Sequence, residues 1–181
     1  MSRTLPLVLS ARDLPAEELQ AARLDGQVVA LASGWCTLDV ADTPAVRTAA
    51  VSLLLPRQAI GDRWSAAWVW GALTDPPAVL TGCVPAGIRV AMMPGRGQDL
   101  REATLDQDET QRFDDGCVTT PLRTLVDLAR EQEHPDRARR VVLRLLRART
   151  GLPVAEVLKR IDARPRLRWK GRVLAALGET L

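Results

Sequence analysis

One stretch, residues 119–130 (TTPLRTLVDLAR), constrains the fold of this 181-residue chain more than any other. Thr120 can cap a helix with its hydroxyl, and Pro121 suits the first helical position because its missing N–H would have no partner there. The apolar residues that follow recur at i, i+3, i+4 and i+7, which places on one face Leu122, Leu125, Val126 and Ala129. The stretch predicts a helix with that face inward and with Arg123 and Asp127 paired on an exposed side, where a pair contributes little.

The chain changes character at this helix. From Gly116 onward there are 15 Arg or Lys and 7 Asp or Glu, a net charge of +8, whereas residues 1–115 hold 10 and 15, a net charge of −5. Such a split favours a basic interaction surface in the second part, with nucleic acid or an acidic protein as its partner. The alternative is that these arginines are solvated surface residues of an arginine-rich chain.

Composition argues against several classes of function. No apolar run reaches the roughly 18 residues of a membrane-spanning helix, so we expect a cytoplasmic protein that binds no membrane. Cys36, Cys83 and Cys117 are scattered and odd in number, which argues against disulfides and against a zinc site. His134 is the only histidine, so a mechanism that needs two is excluded. We therefore expect no cofactor and no metal.

The first 41 residues predict a degenerate winged helix. A short helix is indicated over residues 14–24, and a β-hairpin follows with its turn at Ser33 and Gly34. A helix, a tight turn and a hairpin are the last part of a winged helix, in which the hairpin is the wing. We expect residues 1–41 to form this remnant and residues 42–181 to form a second, α+β domain.

The second domain begins with two helices and a small mixed β-sheet. The helices are predicted over residues 44–55 and 63–73, with Trp64 and Trp68 packed rather than stacked on nucleobases. Three or four short strands are then predicted between residues 78 and 120, one of them over 87–93 (GIRVAMM). Residues 114–116 (DDG) indicate a hairpin turn before the last strand.

A bundle of four helices is predicted from residue 121 to the C-terminus. The second helix, over residues 136–150, has as its predicted inward residues Ala138, Val142, Leu145 and Leu146. On its other side an arc of about 80° holds Arg137, Arg140, Arg144 and Arg147. A further basic cluster precedes and enters the last helix, and its members are Arg164, Arg166, Arg168, Lys170 and Arg172. That last helix is expected to bury Trp169, Val173, Ala176 and Leu177.

Three runs in this order resemble a known family. They are DGQVVALASGWCTL at 25–38, WSAAWVWGAL at 64–73 and DDGCVTTPLRTLVDLAR at 114–130, followed by the arginine-rich end. Together they resemble the AbiEi-type antitoxins of type IV toxin–antitoxin systems. The resemblance implies a repressor that binds the DNA of its own operon through a winged helix and has a nucleotidyltransferase-like toxin as partner. Here the winged helix is shortened, and residues 30–33 are uncharged where the family carries arginines before the wing glycine.

Three functions follow from these observations. The first is a non-enzymatic, antitoxin-like regulator that binds DNA in a salt-sensitive way. Its phosphate contacts would be the arginines of both basic groups, and its base contacts Gln20 and Arg23. The second is a protein-interaction module that has lost DNA binding and holds an acidic partner on the same arginines. The third is an enzyme. A metal-dependent nuclease would use Asp99, Glu102, Asp106, Asp108 and Glu109, but the lysine of a nuclease signature is missing. A serine–histidine mechanism would depend on His134, which lies in a polar linker.

Overall fold

The computed structural model describes residues 6–88, 90, 97–131, 136–164 and 167–181, and these form a mixed α+β structure. The helices of the described residues are α1 (Ala16–Leu24), α2 (Pro44–Ser52), α3 (Arg63–Val69), α4 (Pro121–Glu131), α5 (Arg137–Arg149), α6 (Val154–Asp162) and α7 (Lys170–Gly178). The strands are β1 (Val28–Leu31), β2 (Gly34–Thr37), β3 (Ile60–Gly61), β4 (Leu80–Pro85), β5 (Gln98–Ala103), β6 (Thr110–Phe113) and β7 (Gly116–Thr119). A single 3₁₀ turn, Gln107–Glu109, precedes β6.

Helix α4 lies at the centre of the molecule. It packs against α3, α5 and α7, and every residue from 123 to 129 is buried. The predicted stripe is therefore present, but the helix is enclosed on its other sides as well. The prediction that Arg123 and Asp127 lie on an exposed side is wrong, because Arg101 of β5 and Glu109 of the 3₁₀ turn form ion pairs with them on that side. Buried charges of this kind need partners within the protein.

A five-stranded sheet of order β5-β4-β3-β7-β6 packs against α2 and α3, and α3 in turn packs against α4. The two-residue strand β3 is central, antiparallel to β4 and parallel to β7. The predicted strands near 80, 98 and 117 and the DDG hairpin turn are confirmed. The strand predicted over 87–93 is wrong where it can be judged, since 87, 88 and 90 are irregular, while 89 and 91–93 lie outside the described residues. β7 approaches α2 closely because a Cβ at Gly116 would lie 2.0 Å from Oγ of Ser52.

The predicted N-terminal helix and hairpin are both present. β1 and β2 pair antiparallel with Val28 opposite Thr37, and Leu9 forms one further bridge to Trp35. The turn lies at residues 32 and 33, one residue earlier than predicted, and Ala32 adopts the left-handed conformation with φ 50°. Leu9, Leu19 and Val28 form a small buried cluster in this part. The division into domains at residues 41 and 42 stays a prediction.

The four helices α4 to α7 contribute to one hydrophobic cluster, which also receives Ala67 and Ala72. Two expectations about their inward faces are wrong. In α5 the inward residues are Val142, Leu143 and Leu146, whereas Ala138 and Leu145 are exposed, because the inward stripe continues through the half-buried Arg139, which packs on Trp64. Trp169 is 56% exposed rather than buried, because it precedes the first residue of α7 and so does not follow the periodicity of that helix.

Candidate polyanion-binding surface

Helix α5 carries six arginines and no acidic residue. Three of them, Arg137, Arg140 and Arg144, are exposed on the side of α5 that faces away from the hydrophobic cluster. Arg144 lies seven positions after Arg137, so the three extend over about 10 Å of helix. We call these three side chains the basic ridge. Arg144 is also tied down, since its Nε donates to the carbonyl oxygen of Thr180 at 2.7 Å.

Arg147, the fourth residue predicted for this surface, is not part of the exposed ridge. It is half-buried, and its Nε is buried without a hydrogen-bond partner among the atoms that the structure describes. The predicted length of three turns is therefore reduced to two. The helical wheel could not show this, because the loss of exposure comes from packing around the end of α5.

Two exposed apolar side chains flank the basic ridge on one side. Val141 is 48% exposed and Leu145 is 43% exposed, and at about 100° per residue both lie beside the ridge arginines around α5. They are one turn apart, so they form one small apolar strip rather than two isolated exposures. The face therefore combines positive charge with an apolar strip.

The second predicted cluster, around the start of α7, does not form one open basic surface. Arg164 forms an ion pair with the buried Glu109, and Nζ of Lys170 lies 3.7 Å from the carboxylate of Asp162. Arg168 and Arg172 stack on the ring of Trp169, with 5.6 and 5.0 Å between guanidinium carbon and ring centroid. Arg166 lies outside the described residues.

The residues predicted to read bases are placed on α1. Gln20 and Arg23 are both exposed there, one turn apart. Glu17 and Glu18 are exposed in the first turn of the same helix, so negative charge stands at the end that a recognition helix normally directs toward the bases. The hairpin beside α1 adds no charge between residues 28 and 37. Attraction for phosphate is therefore concentrated on α5 rather than on α1.

Four buried charged residues and four half-buried arginines lie around α4, and we call the set the buried ion network. Its members are Asp62, Arg63, Arg101, Glu109, Arg123, Asp127, Arg130 and Arg164. Asp62, directly after β3, lies 3.1 Å from Nε of Arg63 and 2.7 Å from Nε of Arg101. Arg101 then reaches Asp127 with Nη2 at 2.9 Å. The network thus joins the end of β3, strand β5 and helix α4.

Each carboxylate oxygen in this network contacts a guanidinium group. Asp127 lies 3.0 Å from Nε of Arg123 through one oxygen and 2.6 Å from Nη2 of Arg130 through the other. Glu109 contacts Nη1 of Arg123 at 2.5 Å and also binds Arg164. Because all six oxygens of the three acids are engaged, these carboxylates serve as anchors for arginines rather than as open ligands.

The pKa values of Asp62 and Glu109 are shifted in opposite directions. Burial raises the pKa of Asp62 above its usual value of 3.8, although the positive charges of Arg101 and Arg63 act in the opposite direction. Burial also penalises the charged form of Glu109. There the N–H of Asp106 and the two arginines outweigh it, and the pKa of Glu109 falls below 4.5. For Asp62 the cost of burying the charge outweighs the attraction of the arginines, whereas for Glu109 the attraction outweighs that cost.

The acidic residues considered for a nuclease do not converge on a shared point. Asp99 forms an ion pair with Arg63 at 2.8 Å, whereas Glu109 is part of the buried ion network. Glu102 and Asp108 are exposed, and Asp106 uses its backbone N–H to bind Glu109. No group of three or more His, Cys, Asp or Glu able to hold a metal occurs in the described part of the chain. His134 lies outside the described residues.

The tryptophans and cysteines lie in packed surroundings. Trp68 is buried beside Arg47, and Trp64 stacks under the guanidinium of Arg139, which confirms that both pack rather than present free ring faces. All three cysteines are free thiols, and burial raises the pKa of Cys83 to about 12. None of the helices in the described ranges is long and apolar enough to cross a membrane.

A cavity that the sequence did not indicate lies beside the first turn of α4. Arg149 at the end of α5, Arg160 in α6 and Arg164 after α6 line it, together with Asp108 and Leu122. Its volume is about 310 Å³. Arg160 and Arg164 are four positions apart, but the other lining residues come from three further segments, so no local spacing in the sequence relates the whole set. Sequence reasoning found Arg164 but neither Arg149 nor Arg160.

Comparison with known proteins adds no relative. No protein-family model matches the chain, and no curated protein matches it either. The family likeness therefore rests on the three sequence runs alone.

Proposed function

We propose that this protein is a non-enzymatic, DNA-binding regulator of the antitoxin type, acting in the cytoplasm. The observation that supports it best is the basic ridge on α5, where Arg137, Arg140 and Arg144 are exposed together on a helix without a single acid. Guanidinium groups bind phosphate oxygens with two parallel N–H donors, which suits them to a nucleic-acid backbone. Binding by such a ridge is sequence-independent and weakens as salt is added.

Base readout is assigned in this proposal to the N-terminal part. Helix α1 and the β1–β2 hairpin would be the last helix and the wing of a shortened winged helix, with Gln20 and Arg23 directed at the bases. The helices α4 to α7 would form a four-helix bundle that carries the ridge. Because Glu17 and Glu18 repel phosphates near α1, we expect the ridge to provide most of the affinity.

The test is a titration of DNA from upstream of the protein's own gene, followed by fluorescence anisotropy over a series of salt concentrations. We compare the wild type with the triple variant Arg137→Ala/Arg140→Ala/Arg144→Ala. The matched control removes three exposed arginines from the acidic part of the chain, Arg12, Arg57 and Arg112. Both variants lose the same net charge, so they differ only in where the charge is removed.

We expect the ridge variant to bind more weakly. The slope of log K against log salt should flatten by about 0.9 for each phosphate that the ridge no longer neutralises, roughly 2.7 for three phosphates. The control variant should keep the wild-type slope. Equal weakening in both variants would show a general charge effect, and absence of binding by the wild type at low salt would reject the proposal.

A second candidate, suggested by Val141 and Leu145, is that the same face holds an acidic partner protein such as a nucleotidyltransferase-like toxin. Phosphates offer nothing to these two apolar side chains, whereas a partner helix would cover them. The double variant Val141→Ser/Leu145→Ser keeps the charge of the ridge. If a protein partner uses this face, the double variant should lose the complex in co-purification from the native host while DNA affinity is unchanged. An unchanged complex would reject this candidate.

A further inference from the structure

We propose that the cavity beside α4 is a binding site for a phosphate group carried on a small molecule or at the end of a nucleic-acid strand. Three arginines line this cavity, Arg149, Arg160 and Arg164, together with one acidic residue, Asp108. Its volume of about 310 Å³ falls within the range of small-ligand pockets. The basic ridge does not line it, so the inference does not rest on the proposed function.

Arg164 is held in place before any ligand arrives. Its Nη1 donates to one oxygen of Glu109, while the other oxygen of Glu109 accepts from Nη1 of Arg123 at 2.5 Å and from the N–H of Asp106 at 3.0 Å. Two guanidinium groups thus share one buried carboxylate, and Arg123 has Asp127 as a second partner. Arg164 binds Glu109 through Nη1 and also lines the cavity, so Glu109 acts as a positioning residue.

Arg160 and Arg149 can bind a phosphate group without breaking a buried ion pair of their own. Arg160 pairs with Glu156 at 2.9 Å, but the pair is exposed, and exposed ion pairs exchange partners readily. Arg149 forms no ion pair with a carboxylate within the described ranges, and its guanidinium lies beside Gly71, where an added Cβ would be 3.1 Å from Nη2. Gly71 has φ 72° and ends α3, so its missing side chain leaves room for Arg149.

The first turn of α4 adds to the positive potential. Leu122 lines the cavity, and its amide N–H stands in the first turn, where no acceptor exists within the helix. A dianion there would meet this N–H and the three guanidinium groups. A phosphate monoester fits this set better than a carboxylate, because it has a second negative charge and three oxygens for separate guanidinium groups. The negative charge of Asp108 repels the anion and therefore lowers the affinity of the site for phosphate.

The test is titration of the full chain with inorganic phosphate and pyrophosphate, followed by calorimetry and by the backbone and arginine side-chain N–H signals in NMR spectra. We expect shifts at Leu122, Arg149 and Arg160. Arg149→Ala and Arg160→Gln should each weaken phosphate binding at least fivefold. Asp108→Asn should strengthen it severalfold, because it removes the only carboxylate among the described lining residues.

Two controls separate loss of the binding site from loss of the fold or of positive charge in general. Both arginines are exposed, so their variants should fold, and unchanged NMR dispersion checks this. The ridge variant Arg137→Ala/Arg140→Ala/Arg144→Ala should bind phosphate like the wild type. Absence of shifts at the cavity, or equal weakening by the ridge variant and by Arg149→Ala, would overturn the assignment.

A second arm identifies the source of the phosphate group. It compares one short oligonucleotide with a 5′-phosphate and with a 5′-hydroxyl group. Tighter binding of the phosphorylated strand by the wild type, abolished in Arg149→Ala, assigns the site to a nucleic-acid end. Equal binding of both strands, together with saturable phosphate binding, assigns it to a small phosphorylated molecule.

Discussion

Arg123 donates from Nε to Asp127 at 3.0 Å, one turn along α4, and both side chains are buried. On an exposed helix this i, i+4 pair would contribute a few tenths of a kcal/mol. Here the same carboxylate also contacts Arg101 and Arg130, so three guanidinium groups converge on one acid. The pair has thus become the point at which β5 and α4 are joined.

The substitution Asp127→Asn should be severely destabilising. It leaves three arginines without their shared negative charge in a buried position, and breaking a buried ion pair by removing one partner costs about 3–5 kcal/mol. Urea denaturation measures the change in the free energy of unfolding. Glu156→Gln is the matched control, because it breaks the exposed i, i+4 pair with Arg160 and should leave the unfolding midpoint unchanged. Similar midpoints for the two variants would contradict a structural role for the network.

Glu109 and Asp62 should give the stability opposite dependences on pH. The pKa of Glu109 is lowered on folding, so its stabilising contribution is present above 4.5 and is lost as the pH falls through the folded-state pKa. The advantage of the wild type over Glu109→Gln should therefore shrink on acidification. The measurement is the unfolding free energy of both proteins across the acidic range.

The pKa of Asp62 is raised on folding, so between 3.8 and its folded-state pKa the native state binds more protons than the unfolded state. Stability from this group therefore falls as the pH rises through that window. The stability of the wild type relative to Asp62→Asn should decline with rising pH, the reverse of the trend for Glu109→Gln. Parallel trends in the two variants would contradict the opposite pKa shifts.

Much of the fold could be predicted because its signals are local. Thr43 caps α2 and Gly71 ends α3, and both lie where caps and terminators indicate them. The DDG turn between β6 and β7 is equally local. By contrast, β3 has two residues, too few for any alternation, yet it is the centre of the sheet. Its position follows from pairing with β4 and β7, which are distant in sequence.

The charged residues were the hardest to place from sequence. Arg147 and Arg144 have the same residue type and neighbouring helical positions, yet one has a buried Nε and the other is exposed. The ion pair between Asp62 and Arg101 joins residues 39 positions apart. Such contacts depend on how elements pack, so helical periodicity can identify a basic face but cannot say which arginines are used inside the protein.

The three cysteines should react with an alkylating reagent in a fixed order. Cys83 is fully buried and its pKa is about 12, so almost none of it is thiolate under mildly alkaline conditions. Cys36 is buried. Its burial raises the pKa of its thiol, and the nearby negative charge of Asp42 raises that pKa further. Cys117 is half-buried and should be labelled first. Mass spectrometry of the native protein over time gives the order, with the denatured protein as the control for three reactive thiols.

Glycine should be more stable than alanine at position 169 and less stable than alanine at position 171, although only one residue separates the two positions. Trp169 has φ 63°, a left-handed conformation that costs a residue with a Cβ about 1–2 kcal/mol. Trp169→Gly and Trp169→Ala both remove the ring that Arg168 and Arg172 cover, so their difference isolates the backbone. We expect the glycine variant to be the more stable by about 1 kcal/mol.

Gly171 lies inside α7, and an added Cβ there would meet no atom within 4 Å. Gly171→Ala should therefore stabilise the protein by about 0.5–1 kcal/mol, because alanine loses less conformational freedom on entering a helix. Thermal unfolding of the three variants and the wild type provides the comparison. Equal stability of Trp169→Ala and Trp169→Gly would contradict the left-handed conformation of Trp169. Together with the expected gain from Gly171→Ala, it would mean that α7 begins before Trp169.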